Sequence, residues 1–271
     1  MATWEFPGSE PIEIFIDVAA GSVAVSGEEV GATTAAVASS KHHHDPLSPE
    51  EVQVSFTGGR LRITQPKSSD WMRGRGSLDV TVKAPAGSSV TVRTASADVS
   101  CVGELALLEA KTASGDVTVA SVSGAAAVNT AGGDVWLENA GGAVVVRTAS
   151  GDVRLRHAAA DVAVTTASGD VRLGIVGGSA GVQTASGDVE IASVSAGEAN
   201  VKTVSGDTSV GVARGTEAYL DLYSLSGDIS SQLEEMSSGA DSGSGAGLRV
   251  ICRSISGDIQ ISRAAATAGA Q

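Results

Sequence analysis

Nine aspartates occupy matching places in this chain, and a row of carboxylates can hold cations or cap turns. Asp98, Asp116, Asp134, Asp152, Asp170 and Asp188 follow one another at 18 residues. Asp207, Asp228 and Asp258 continue the series at 19, 21 and 30. If each interval is one coil of a stacked chain, the carboxylates lie about 5 Å apart. They then repel by roughly 0.8 kcal/mol in water, or about 3 kcal/mol at an effective dielectric of 20, and something must offset this. One reading is that each Asp caps its own Ser-Gly turn by accepting backbone N–H bonds. The other is a cation column, with divalent ions between Asp116, Asp134, Asp152, Asp170 and Asp188 using hard oxygen ligands. Either way the repetition speaks for architecture, because a catalytic site is needed once.

Other side chains with chemical potential lie near this row. Arg154 and Arg172 stand two residues after their Asp, where other coils carry Ser100, Thr118, Trp136 and Glu190. Lys111, Asn129, Arg147, Thr165, Gln183 and Lys202 form a second outward series. A solvated face with weak ion pairs accounts for most of these. Trp136, Arg154, Arg172 and Arg147 are the candidate partner contacts, since an outward Trp is a typical interface residue. Trp136 could instead stack on Arg154. His42, His43, His44 and Asp45 could ligate zinc or nickel, although adjacent His residues do not close a tetrahedral shell by themselves. No Ser-His-Asp set, catalytic Cys setting, phosphate loop or dinucleotide fingerprint stands out. Neither catalytic residues nor a cofactor are expected.

The elements that must position these groups are short strands. Split at nine residues, the middle of the chain reads AGGDVWLEN, AGGAVVVRT, ASGDVRLRH, AAADVAVTT and ASGDVRLGI. The second and third places are mostly Gly, Ser or Ala, which suit a tight turn. The fifth and seventh are Val, Leu or Ala, two apart, so both face one side of a strand. Two such halves make an 18-residue coil. Stacked coils satisfy each other's backbone groups and place Val over Val. For the coil from Ala113 to Thr130 the expected inward residues are Ala113, Val117, Val119, Val122, Ala126 and Val128. For the coil from Ala149 to Thr166 they are Ala149, Val153, Leu155, Ala158, Val162 and Val164. The fold class is therefore all-β, a parallel β-helix or solenoid. The calcium β-roll fits less well, since here Asp directly follows Gly and the Gly-x-Asp order is missing.

Composition agrees with a thin core. The chain has 271 residues, 34 Gly and 3 % aromatics. Its net charge of −13 disfavours nucleic acid and unaided binding to anionic lipid. No signal peptide or membrane-length apolar run is visible, and Cys101 and Cys252 suit a reducing compartment. The cytoplasm is the expected location, without direct membrane insertion.

Residues 1–90 alternate like strands but repeat poorly, and they hold Trp4, Phe6, Phe15, Phe56 and Trp71. They are expected to form a β-rich cap closing one end of the solenoid. The repeats are placed at 91–263, with a flexible insertion near 234–247 and a disordered tail at 264–271.

The T-A-S-G-D-V coils, the preceding Ala84-Pro85-Ala86-Gly87-Ser88 segment and the β-rich N-terminal block together resemble the bacterial "putative adhesin" family of β-strand-repeat proteins, of the domain-of-unknown-function 4097 type. The resemblance runs from about Ile12 to Arg263. It implies a parallel β-helix-like fold and carries over no catalytic residue. The leading functional expectation is a non-enzymatic scaffold that binds an unknown protein partner or self-associates. The alternatives are a glycan-binding adhesin and a glycan-active β-helix enzyme.

Overall fold

The computed structural model describes residues 1–40, 51–66, 76–233 and 247–265. They fall into two compact units, Met1–Gly142 and Ala143–Gln271. No α-helix occurs among the described residues. The His42–Asp45 cluster, Trp71, most of the Ser/Gly-rich insertion and most of the tail lie outside the described residues.

The first unit contains β1 (Ala2–Pro7), β2 (Glu13–Val18), β3 (Ala20–Glu28), β4 (Ala32–Ser39), β5 (Gln53–Thr57), β6 (Arg60–Thr64), β7 (Ser77–Pro85), β8 (Ser88–Thr94), β9 (Asp98–Lys111), β10 (Val117–Val122), β11 (Ala126–Asn129) and β12 (Val135–Ala140). One wall runs β5, β6, β2, β8, the second half of β9, then β11. The other runs β1, β4, β7, β3, the first half of β9, β10 and β12. Pairing is parallel except where β1, β4 and β5 join. At that end Phe6 and Phe56 stack with centroids 4.8 Å apart, so two aromatic rings plug the interior between the last strands of the two walls. Behind them the fully buried side chains include Ile14, Ile16, Leu61, Ile63 and Leu78.

The second unit contains β13 (Val144–Arg147), β14 (Val153–Ala158), β15 (Val162–Thr165), β16 (Val171–Val176), β17 (Ala180–Gln183), β18 (Val189–Val194), β19 (Glu198–Lys202), β20 (Thr208–Val212), β21 (Ala218–Ser226), β22 (Ile229–Ser231), β23 (Leu248–Ser256) and β24 (Ile259–Arg263). One wall runs β13, β15, β17, β19, β23, β21. The other runs β14, β16, β18, β20, β24, β22. All of these pairs are parallel, and β13–β15–β17 and β14–β16–β18 hold the expected 18-residue register, as in Val153↔Val171↔Val189. Each fully buried Val contributes roughly 1.5–3 kcal/mol through lost apolar surface.

The stacking departs from chain order at two places. In the first unit the coil β2–β3 lies between β6–β7 and β8–β9. In the second, β23–β24 lies between β19–β20 and β21–β22. The Asp intervals of 21 and 30 residues accompany this change of order in the second unit. The last coil in the chain slides beneath the one before it. The repeat pattern cannot distinguish the two orders, because Val or Ile on a neighbouring strand satisfies the same inward position.

Ala113 and Ala149 are exposed, against expectation, while the other ten predicted inward residues are buried. The threonine one place earlier takes the corner instead. Thr112 and Thr148 accept the N–H of Gly115 and Gly151 at 2.9 and 3.0 Å. Thr166, Thr184 and Thr203 use the same hydroxyl the other way, donating to the carbonyls of Ser168, Ser186 and Ser205. A hydroxyl both donates and accepts, so one residue type closes both forms of the turn. The alanine that follows sits at the apex and points to solvent.

Candidate functional site

The aspartate ladder is the most regular polar feature. In the first unit Asp98 Oδ1 accepts the Asp116 N–H at 3.0 Å, and Asp116 Oδ1 accepts the Asp134 N–H at 2.9 Å. In the second, Asp152, Asp170 and Asp188 accept from Asp170, Asp188 and Asp207 at 3.0, 3.1 and 2.9 Å. Asp207 then accepts from Asp258, and Asp258 from Asp228, at 2.9 and 2.8 Å. The aspartates do cap turns, but each caps the neighbouring coil's turn rather than its own, whose corner the threonine already fills. This pins one coil to the next. A charge-assisted bond per step offsets much of the repulsion along the row.

Basic residues supply more of that offset. Arg154 Nη2 donates to Asp152 Oδ2 at 3.0 Å, and Arg172 Nη2 to Asp170 Oδ2 at 2.9 Å. Arg172 also lies 3.9 Å from Glu190. In these coils both carboxylate oxygens are therefore engaged by protein. Among the described residues, no three His, Cys, Asp or Glu side chains converge in a metal-holding group.

The ladder has a direct test. Asp188→Ala is expected to cost about 0.5–1.5 kcal/mol, because the Asp207 N–H loses its acceptor. Asp188→Asn should cost less, since it keeps an oxygen there. Melting curves of the parent chain should be superimposable with calcium and with chelator. A chelator-induced drop in Tm would show that cations, not N–H groups, hold the column.

The candidate partner contacts fall in both units. In the first, Trp136 is 52 % exposed on a strand whose flanking Val135 and Leu137 are buried, and it pairs in register with Thr118. In the second, Arg154, Arg172, Glu190 and Ser209 form one registered outward row. Arg147, Thr165, Gln183 and Lys202 form the other, which continues through Arg253 to Tyr223. His157 is exposed opposite Ile175. Cys101 and Cys252 are both free and buried, and burial pushes each thiol up to about 12. They pack as small apolar side chains and are not poised nucleophiles.

Sequence reasoning missed two features. On the outer face of the first unit, the Phe15 ring is flanked by the guanidinium groups of Arg62 and Arg93 at 4.5 and 5.5 Å. Arg60 pairs with Glu13 alongside. The three strands involved are adjacent only because β2 inserts between β6 and β8, so no linear spacing announces the cluster. The second is the outermost coil of the second unit, where Tyr219, Tyr223, Leu225 and Ile229 are exposed. A cleft of about 1040 Å³ opens there between Tyr219, Leu220, Ser231 and Arg263.

Parallel coils, a valine interior and a hydrogen-bonded Asp ladder define a β-solenoid repeat protein. Residues 12–262 match the Toastrack DUF4097 family, and the chain belongs to that family. No curated protein sequence matches it. Among solved structures it is similar to a "putative lipid binding protein" of Parabacteroides distasonis, at 16 % identity over 96 % of both chains with a TM-score of 0.45. A "putative adhesin" of the same organism gives 11 % identity, 96 % of both chains and a TM-score of 0.41. A "putative cell adhesion protein" of Clostridium sporogenes gives 13 % identity over 97 % of this chain and 99 % of the other, with a TM-score of 0.23.

Proposed function

We propose that this protein is a non-enzymatic scaffold that binds a macromolecular partner through the outward side chains of its coils. One observation carries the reading: the Trp136 indole projects to solvent from a strand whose Val135 and Leu137 hold the core. Exposing an indole forgoes burial of a large apolar surface, which a stability role does not explain. The registered polar rows around the coils suit a partner that lies along several strands. Two free, buried thiols agree with a reducing compartment, and the cytoplasm is the location we propose.

Trp136→Ala is the test. Its Tm should stay within about 2 °C of the parent chain, consistent with a surface change of ±0.5 kcal/mol or less. Recovery of a partner from the native host should fall at least tenfold. Equal recovery by both proteins would remove Trp136 and this reading with it.

A second reading is a glycan-binding adhesin. It is favoured by the Thr165–Gln183–Lys202 row, whose hydroxyl, amide and ammonium groups match sugar hydroxyls. A glycan array separates the two: saturable binding lost on Gln183→Ala would select the adhesin.

A further inference from the structure

The outermost coil of the second unit is built like an interior coil but ends in the open. β21 pairs with β23, and β22 with β24; neither has a second partner strand among the described residues. The inward columns stay buried through Val250, Cys252 and Ile259, then finish on half-buried Leu220 and Leu222 and on Ile229, which is 46 % exposed. On the outward face Tyr219, Tyr223 and Leu225 are 66, 51 and 69 % exposed. A long strand edge, apolar on both faces, is a template for another strand, and proteins ordinarily blunt such edges with charge, proline or a cover. The first unit shows such blunting at its outer strands, with Pro7 on β1 and the Phe6–Phe56 plug.

We propose that two copies of this chain associate through the β21 edge as a two-fold, antiparallel strand pair centred on Leu222. The strand's own sequence selects a second copy. β21 reads Ala-Tyr-Leu-Asp-Leu-Tyr-Ser-Leu-Ser over Ala218–Ser226, and Leu222 is its middle residue. Laid antiparallel on itself about that residue, Leu222 meets Leu222, Leu220 meets Ser224, Tyr219 meets Leu225 and Asp221 meets Tyr223. The inward residues then remain together on the core side, and the aromatic and aliphatic ones together on the outer side.

Charge agrees with this register. Asp221 is the strand's sole charged residue, and Arg253 Nη2 already neutralises its Oδ2 at 2.9 Å. The two-fold places no carboxylate opposite another, although the chain as a whole carries −13. Arg249, 5.8 Å above the Tyr219 ring, holds that ring over its own sheet. The contact is isologous, so it closes at two copies and does not propagate into a fibre. It goes beyond the lateral-face reading and does not depend on Trp136.

Sedimentation velocity of the full chain across concentrations tests it, with hydrogen exchange of the β21 amides read in parallel. The parent chain should pass from 26.8 kDa to twice that mass, and β21 amides should gain protection as it does. Tyr223→Glu sets a carboxylate opposite Asp221 of the other copy, twice per dimer. It should weaken association at least tenfold while leaving Tm unchanged. Adding Asp221→Lys to that variant turns the clash into an attraction and should restore the dimer. A parent chain that stays monomeric at every concentration, open-ended polymers, or a Tyr223→Glu protein that dimerises like the parent would each overturn the proposal. Trp136→Ala should dimerise normally, which keeps this test separate from that of the lateral face.

Discussion

Val171→Asp is expected to abolish the cooperative native state of the second unit. Val171 is 0 % exposed and is stacked in register between Val153 and Val189. Replacing it forfeits roughly 1.5–3 kcal/mol of apolar burial. It also puts a carboxyl group where the neighbours in its column are aliphatic, at a further cost of several kcal/mol whether it stays ionised or takes up a proton. The sum, about 5 kcal/mol or more, is comparable to the whole stability of an ordinary domain. Stacked repeats are held chiefly by their nearest neighbours, so the damage should spread to the coils on either side. Urea titration followed by far-ultraviolet circular dichroism is the measurement. Val171→Ala should retain a transition lowered by roughly 1–3 kcal/mol. Thr165→Asp, on an exposed outward position of the same unit, should lie within about 0.5 kcal/mol of the parent. A sigmoidal, near-parental transition for Val171→Asp would show that this column is not the dry interior described above.

Gly187→Ala is expected to be nearly as damaging, although it adds a single methyl group. Gly187 has φ of +130°, and a Cβ there would lie 2.3 Å from the Gly169 carbonyl oxygen of the adjacent coil. That oxygen belongs to backbone, and the turn around it is fixed: the Ser186 N–H donates to Ala167 at 2.9 Å, and the Gly187 N–H to Ser205 at 3.2 Å. The chain can relieve the contact only by parting two coils or by turning the peptide over, which disturbs the part-buried Thr184–Ser186 bond. Backbone strain and lost stacking together should cost on the order of 3 kcal/mol or more. Gly215→Ala separates the two effects. Its φ is +80° but nothing lies within 4 Å of the new methyl, so strain alone, about 1–2 kcal/mol, is expected. Equal melting temperatures for Gly187→Ala and Gly215→Ala would mean that the coils are spaced more loosely than this geometry requires.

Both predictions concern the close stacking of one coil on the next, the first at the valine interior and the second at the turn, where there is no room for a side chain at the glycine. The Asp ladder adds a polar seam at that corner and the threonine hydroxyls a second one. Together they explain why a T-A-S-G-D-like turn recurs while the outward positions vary between Ser100, Thr118, Trp136, Arg154, Arg172 and Glu190. Those varied positions are where a partner can be specified without disturbing the stack.

Much of this was legible from the chain alone. A two-residue alternation behind a small-residue turn, recurring every 18 positions, admits few solutions besides parallel coils. It placed Val117, Val119, Val153 and Leu155 inside and Trp136 outside. The carboxylate row was visible too, because repetition marks a residue that serves the stack.

Tertiary structure decided what a repeat leaves equivalent. Which coil lies on which is not written into the pattern, since an inward Val accepts any aliphatic neighbour, and so the insertions of β2–β3 and β23–β24 were hidden. With them were hidden the Arg62–Phe15–Arg93 cluster and the exposed β21 edge, both products of strand order. The reach of each Asp to the next coil, and the turning inward of Thr112 in place of Ala113, depend on distances between coils. Local propensity describes one turn at a time, and those distances exist only once two turns have stacked.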